Sequence, residues 1–178
     1  SLLNRMLGQK VAIVTQKPQT TRTKIMGVLT EGETQLVFTD TPGYHRPKTK
    51  LGEKMIKAVG DGVTGVDVCL FVTEPEGEVK ETELELLKRL KAEKAPVVLA
   101  INKIDKPGAN PEAIKEQLAQ MNYLVEDWGG KYQSQEISAK KGINLDKLLE
   151  KVLLEAELLE LKANPDRKAT GTVIESTL

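Results

Sequence analysis

The stretch Val97-Val98-Leu99-Ala100-Ile101 constrains this chain more than any other. Successive apolar residues, most of them β-branched, leave no polar face for water, so they read as a strand covered on both sides, as in a parallel sheet. The run then stops in Asn102-Lys103-Ile104-Asp105. In open α/β sheets the carboxyl ends of the strands form the edge where ligands bind, and these residues are delivered there. An Asp carboxylate can accept two N–H bonds from the edge of a guanine ring, and an Asn amide can donate and accept beside it. Adenine has no matching pair of donors, so Asp105 discriminates as well as holds, while the Lys103 stem can lie across the base. Taken alone, the four residues also fit a polar turn after a buried strand.

Two further stretches carry the same signature. Residues 35–39 (QLVFT) read as a strand ending in Asp40-Thr41-Pro42-Gly43, and residues 135–137 lead into Ser138-Ala139-Lys140. Three strands ending in polar loops are expected along one edge of one sheet. DTPG, NKID and SAK, in that order and at domain-scale spacing, resemble the P-loop GTPase superfamily.

The rest of the chain alternates strands with helices. Residues 1–8 (SLLNRMLG) have a short helical pattern, followed by a brief apolar stretch at 11–15 and a polar, hydroxyl-rich loop at 17–23. Residues 25–30 and 35–39 are predicted as two antiparallel strands joined by a tight turn at Glu31-Gly32-Glu33. A basic loop at 44–50 and a glycine-weakened helix at 51–63 follow. Residues 66–73 are predicted as a buried strand, with helices over 79–94 and 112–121, a last core strand over 132–137, and the longest helix over 143–162. In that helix Leu145, Leu148, Leu149, Val152, Ala156 and Leu159 are expected to face the sheet. The expected class is α/β, mostly parallel, with one antiparallel edge pair and helices on both faces.

Composition narrows the field. The 178 residues are enough for one substantial core. Lys plus Arg equals Asp plus Glu, at 26 each, so no net field favours nucleic acid or an anionic membrane. Cys69 is the single cysteine, which excludes a disulfide framework and fits a reducing cytosol, and the single His45 excludes a multi-histidine metal site. No apolar run reaches the ~20 residues of a membrane span.

Roughly the first 105 residues resemble the G domain of the Era family of ribosome-assembly GTPases, on the segment SLLNRMLGQKVAIVTQKPQTTRTKIMGVLTEGETQLVFTDTPG. From about Asn102 onward, INKIDKPGANPEAIKEQL, YLVEDWGG and SAKKGINLDKLLEKVLLEAELLELKANPDRKATGTVIE resemble bacterial translation initiation factor 2. These resemblances imply a Ras-like sheet, GTP/GDP and Mg²⁺ as ligands, the ribosome or ribosomal RNA as partner, and a cytoplasmic setting. They imply that Asn102, Lys103 and Asp105 read guanine, with Ser138, Ala139 and Lys140 supporting the base from the other side. Thr20 or Thr21 would bind Mg²⁺, Asp40 would hold it through water, and the Gly43 N–H, at the end of Asp40-Thr41-Pro42-Gly43, would meet the γ-phosphate. Tyr44 follows that motif, and His45 reads as a loop residue rather than a base. Ser138 also fits a simple cap before Ile143.

One departure stands out. The phosphate-cradling pattern G-x-x-x-x-G-K-[ST] occurs nowhere in the sequence. In the family the helix reading LLN follows that loop, so the loop and the strand before it are expected to be absent, with a central sheet position left open. Phosphate contacts carry much of nucleotide affinity, so binding is expected to be weak and hydrolysis impaired. Residues 1–162 are read as the G domain, and 163–178 as a linker and the first strand of a following domain. The competing reading is a catalytically inactive remnant or chimera that keeps the fold and acts through protein or ribosome contacts.

Overall fold

The computed structural model describes residues 1–11, 25–41, 65–92, 94, 96–164 and 166–168. The expected loop at 17–23, the basic loop at 44–50, the helix at 51–63 and the fragment at 171–178 lie outside the described residues.

The run at the centre of the sequence is the centre of the molecule. Strand β4 (Val97–Asn102) pairs in parallel with β3 (Cys69–Thr73) on one side and β5 (Ser134–Ile137) on the other. Its side chains alternate between two helical layers. Val97, Leu99 and Ile101 pack with Leu87 and Leu90 of α2 (Glu81–Ala92) and Ile114 and Leu118 of α3 (Pro111–Gln120). Val98 and Ala100 pack with Met6 of α1 (Leu2–Met6) and with Leu145, Leu148 and Val152 of α4 (Leu145–Glu157). None of the five apolar residues of β4 is more than 2 % exposed, the two-sided cover expected of a parallel strand.

The antiparallel pair is also present. β1 (Ile25–Glu31) and β2 (Thr34–Asp40) pair from Ile25↔Asp40 to Glu31↔Thr34, which leaves Gly32-Glu33 as a two-residue turn. Gly32 has φ +58°, the region such hairpin turns require and glycine enters without strain. Leu3 and Leu7 pack beneath the hairpin against Ile25, Leu29 and Phe38.

Several expectations need correction. Among the described residues β1–β2 form a separate two-stranded sheet, so the DTPG strand does not share a continuous edge with the other two. Among the described residues the division falls between β2 and β3. The strand predicted over 66–73 begins at Cys69, and Val72 is 41 % exposed rather than buried, because β3 is an edge of its described sheet. The longest helix stops at Glu157, so Leu159, 40 % exposed, lies past its end and does not face the sheet. Helix α3 begins where its capping chemistry sits: Asn110 Oδ1 accepts the Ala113 N–H at 3.2 Å, and Pro111 takes the first turn. Among the described residues no helix is long and apolar enough to cross a membrane.

Candidate functional site

The site is built where β4 and β5 end. Asn102 is the last residue of β4 and Ser138 follows β5. Past the strand ends, the Ile104 N–H donates to the Ile137 carbonyl at 3.2 Å, which continues the pairing of the two chains into their loops.

Asn102 is committed through its carbonyl oxygen. Its Oδ1 accepts the Lys103 N–H at 2.9 Å and the Ala139 N–H at 3.0 Å. These bonds fix the rotation of the amide and turn the NH₂ group away from both partners. Lys103 has φ +74°, a left-handed conformation unusual for a residue with a long side chain, and the Asn102 bond stabilises it.

Ser138 is fully buried and does two jobs. Its Oγ donates to Asp105 Oδ1 at 2.6 Å and accepts the Lys141 N–H at 3.1 Å. The capping role and the site role of this serine therefore coexist. The Ser138 hydrogen bond, with the charges of Lys141 and Lys140 adding to it, holds the Asp105 carboxyl below the ordinary carboxylate range. Asp105 is thus an ionised acceptor in a fixed orientation, with lone pairs left for further N–H donors.

Across the sheet edge, Glu74, the residue after β3, forms an ion pair with Lys103 Nζ and lies 3.6 Å from Lys106 Nζ. Lys106 reaches Glu76 at 3.1 Å, and this bond raises its pKa. Burial pushes the Glu74 carboxyl up, but the Lys103 hydrogen bond and the charges of Lys103, Lys106 and Lys80 outweigh it, so the net shift is downward. The Lys103 side chain is drawn along the edge from β4 toward β3.

The structure therefore brings together Asn102, Lys103, Asp105, Ser138 and Ala139. Lys140 joins through its backbone, its side chain being exposed. Asp40 ends β2 and Thr41 follows it, on the other sheet, and they share none of these bonds. Pro42, Gly43, Thr20 and Thr21 lie outside the described residues, so of the metal-ligand candidates only Asp40 is described. Among the described residues no cluster of three or more His, Cys, Asp or Glu could hold a metal ion.

Sequence reasoning missed two contributors. Glu74 is polar and directly follows a strand, the same signal that marked Asn102, and could have been found by it. Arg5 donates from Nε to the Ala139 carbonyl at 3.2 Å and from Nη2 to the Lys140 carbonyl at 3.0 Å. An arginine on the exposed side of a short helix carries no sign of partners so far along the chain.

Residues 1–103 match the family described as 50S ribosome-binding GTPase. The chain belongs to that family. Translation initiation factor IF-2 of Porphyromonas gingivalis (strain ATCC 33277) is 56 % identical to this GTPase-family chain over 144 residues, 81 % of the chain and 14 % of the factor. That of Bacteroides fragilis (strain ATCC 25285) is 54 % identical over 151 residues, 85 % of the chain and again 14 % of the factor. The chain thus spans about a seventh of the length of these relatives. Both alignments are longer than the stretch from Asn102 to the end, so the initiation-factor resemblance reaches into the first half as well. Among solved structures, Era in complex with MgGDPNP and a segment of 16S ribosomal RNA superposes with a TM-score of 0.75 and 33 % identity, over 86 % of this chain and 51 % of that one. An Aquifex aeolicus Era variant bound to GDP·AlF₄⁻ gives 0.75 and 34 % over the same shares. The fold of this GTPase-family chain is the α/β P-loop GTPase fold.

Proposed function

We propose that this chain is a guanine-nucleotide-binding domain of a translation or ribosome-assembly GTPase, with GTP hydrolysis as the activity of the longer protein. The observation that carries the reading is the pair Asp105–Ser138: a carboxylate held ionised and oriented at a strand end, beside an Asn102 amide whose oxygen is already used. In this reading Asp105 accepts two N–H bonds from the guanine edge and the Asn102 NH₂ donates to a ring nitrogen. The Lys103 stem, tethered by Glu74, covers one face of the base, and the 138–140 loop closes the other side.

Family resemblance supplies the remainder. Asp40, a hard oxygen donor at the end of β2, suits Mg²⁺ held through water, with Thr20 or Thr21 as a second ligand and the Gly43 N–H, following Thr41 and Pro42, toward the γ-phosphate. Bound Mg²⁺ neutralises charge on the phosphate oxygens. The ribosome or its RNA is the proposed partner and the cytoplasm the proposed setting. Residues 1–162 are proposed as the G domain, with 163–178 leading into a following domain.

The sequence contains no G-x-x-x-x-G-K-[ST]. Each charge-assisted phosphate bond contributes about 1.5–3 kcal/mol, and several are wanting, so this chain alone is proposed to bind nucleotide weakly and to hydrolyse it poorly. Calorimetric titration with GDP and with ADP, each with Mg²⁺, tests the reading. The expected result is weak, guanine-selective binding. Equal binding of both, or of neither by a cooperatively folded chain, overturns it and favours an inactive scaffold acting through macromolecular contacts.

A further inference from the structure

We infer that Arg5 is a positioning residue for base recognition, holding the 138–140 loop in the register that aims Asn102 and Asp105. The inference rests on the reading of that edge as a guanine site.

Two nitrogens of one planar guanidinium donate to the consecutive carbonyls of Ala139 and Lys140, at 3.2 and 3.0 Å. Fixing two consecutive carbonyls fixes the two peptide planes that meet at the Lys140 Cα, which a fork of rigid donors achieves and a single ammonium does not. That stretch of backbone controls both base readers. The Ala139 N–H is bonded to Asn102 Oδ1, and the preceding residue, Ser138, is bonded to Asp105. A displacement of the loop therefore turns the amide and releases the carboxylate together.

A cavity of about 430 Å³ opens between α1 and the loop, lined by Asn4, Arg5, Lys10, Ala139 and Lys140 among others. The anchor is firm although Arg5 itself is exposed. Met6 is buried against Val98 and Leu148, and Leu3 and Leu7 are buried beneath the hairpin, so α1 is tied to both sheets.

The test compares the unaltered chain with Arg5→Ala and Arg5→Lys, titrating each with GDP and IDP. IDP lacks only the exocyclic amine, one of the two donors assigned to Asp105. Arg5→Ala is expected to weaken GDP binding about tenfold and IDP binding less, narrowing the preference between them. Arg5→Lys, able to hold one carbonyl, is expected to restore part of it. Amide hydrogen exchange supplies a readout without ligand: exchange at Ala139 should accelerate in Arg5→Ala while that at Leu99 in β4 is unchanged. An unaltered GDP-to-IDP ratio, or equal acceleration at Ala139 and Leu99, overturns the inference. If the unaltered chain shows no preference for GDP over IDP, the guanine reading itself has failed, and the positioning role falls with it whatever Ala139 does.

Discussion

The two sheets of this molecule are stabilised in different ways. β4 is covered on both faces and flanked by a strand on either side. The β1–β2 hairpin is covered on one face only: Leu29, Leu36 and Phe38 turn inward, while Met26, Val28 and Val37 are 60, 47 and 52 % exposed. The proposed base readers, Asn102 and Asp105, grow from the more fully covered sheet, and a group that reads a base must be held to within a fraction of an ångström. Asp40 ends the other sheet, whose cover is thinner. In the proposed reading, two-sided cover and base recognition therefore coincide on one sheet.

The largest expected effect breaks this asymmetry at its source. Leu99 is fully buried between α2, α3 and its strand neighbours. Leu99→Ala is expected to cost about 3–4 kcal/mol, a lost side chain plus an unfilled cavity. Val28→Thr, on the outer face of the hairpin, is expected to change stability by less than about 0.5 kcal/mol. Urea denaturation of both variants measures the contrast, and similar costs would show that the hairpin is packed as tightly as the centre.

A second effect concerns charge inside the rigid half. Lys115, 5 % exposed on α3, contacts Glu136 of β5 at 2.8 Å, Glu112 at 3.0 Å and Asp127 at 3.3 Å, tying α3 to β5 and to the 3-10 turn Glu126–Trp128. Burial opposes its charge, but the bonds to Glu136 and Glu112 outweigh burial and raise its pKa above the ordinary 10.5. Lys115→Met should cost about 2–3 kcal/mol, less than a fully enclosed pair because Glu112 and Asp127 reach water. A raised pKa means the protonated form is favoured by folding. The stabilisation is therefore complete below 10.5 and lost as pH rises through the folded value. Denaturation midpoints at pH 7, 9 and 11 should show the difference between variant and parent constant at the first two and smaller at the third.

Much of this was legible in the residues. The two-sided cover of β4 follows from an unbroken apolar run, and the hairpin from a glycine-centred turn between alternating strands. The cluster of Asn102, Asp105 and Ser138 follows from polar residues placed directly after strands, since strand direction decides which loops meet. What was hidden depended on partners in three dimensions. Lys115 reads as a solvated helix lysine until β5 brings Glu136 to it, and Arg5 reads as surface until the loop after β5 arrives. The extent of α4 was overread because leucines continue past Glu157, and apolar spacing alone does not mark where packing stops.

The seam between the two halves gives a smaller effect. A Cβ added at Gly27 of β1 would stand 2.3 Å from Leu7 Cδ1 and 3.2 Å from Leu3 Cδ1. Both are ends of flexible side chains, so Gly27→Ala is expected to cost about 1–2 kcal/mol rather than to prevent folding. In a Leu7→Ala background the same change should cost less, because the clashing atom is gone. Equal costs in both backgrounds would show that α1 does not press on the hairpin at Gly27.

The smallest effect is confined to the edge where β4 and β5 end. Ser138→Ala removes the donor to Asp105 and the acceptor for the Lys141 N–H; the serine is buried, but Asp105 is only partly buried and Lys141 is exposed, so both can turn to water and the expected loss of stability is only about 1 kcal/mol. Its electrostatic consequence is more specific. A depressed carboxyl pKa stabilises the fold above the ordinary value of 3.8 and is lost as pH falls through the lower, folded value. Without Ser138, the principal cause of the depression is gone, and the Asp105 midpoint should rise toward 3.8. Carbon NMR of the Asp105 carboxyl during an acid titration reads this directly, with Asp40 at the end of the hairpin as the internal control. A midpoint that rises at Asp105 but not at Asp40 places the orienting hydrogen bond on the rigid sheet alone. A midpoint unmoved at Asp105 would mean that the lysines of the 138–141 loop, rather than the serine, keep the carboxylate ionised.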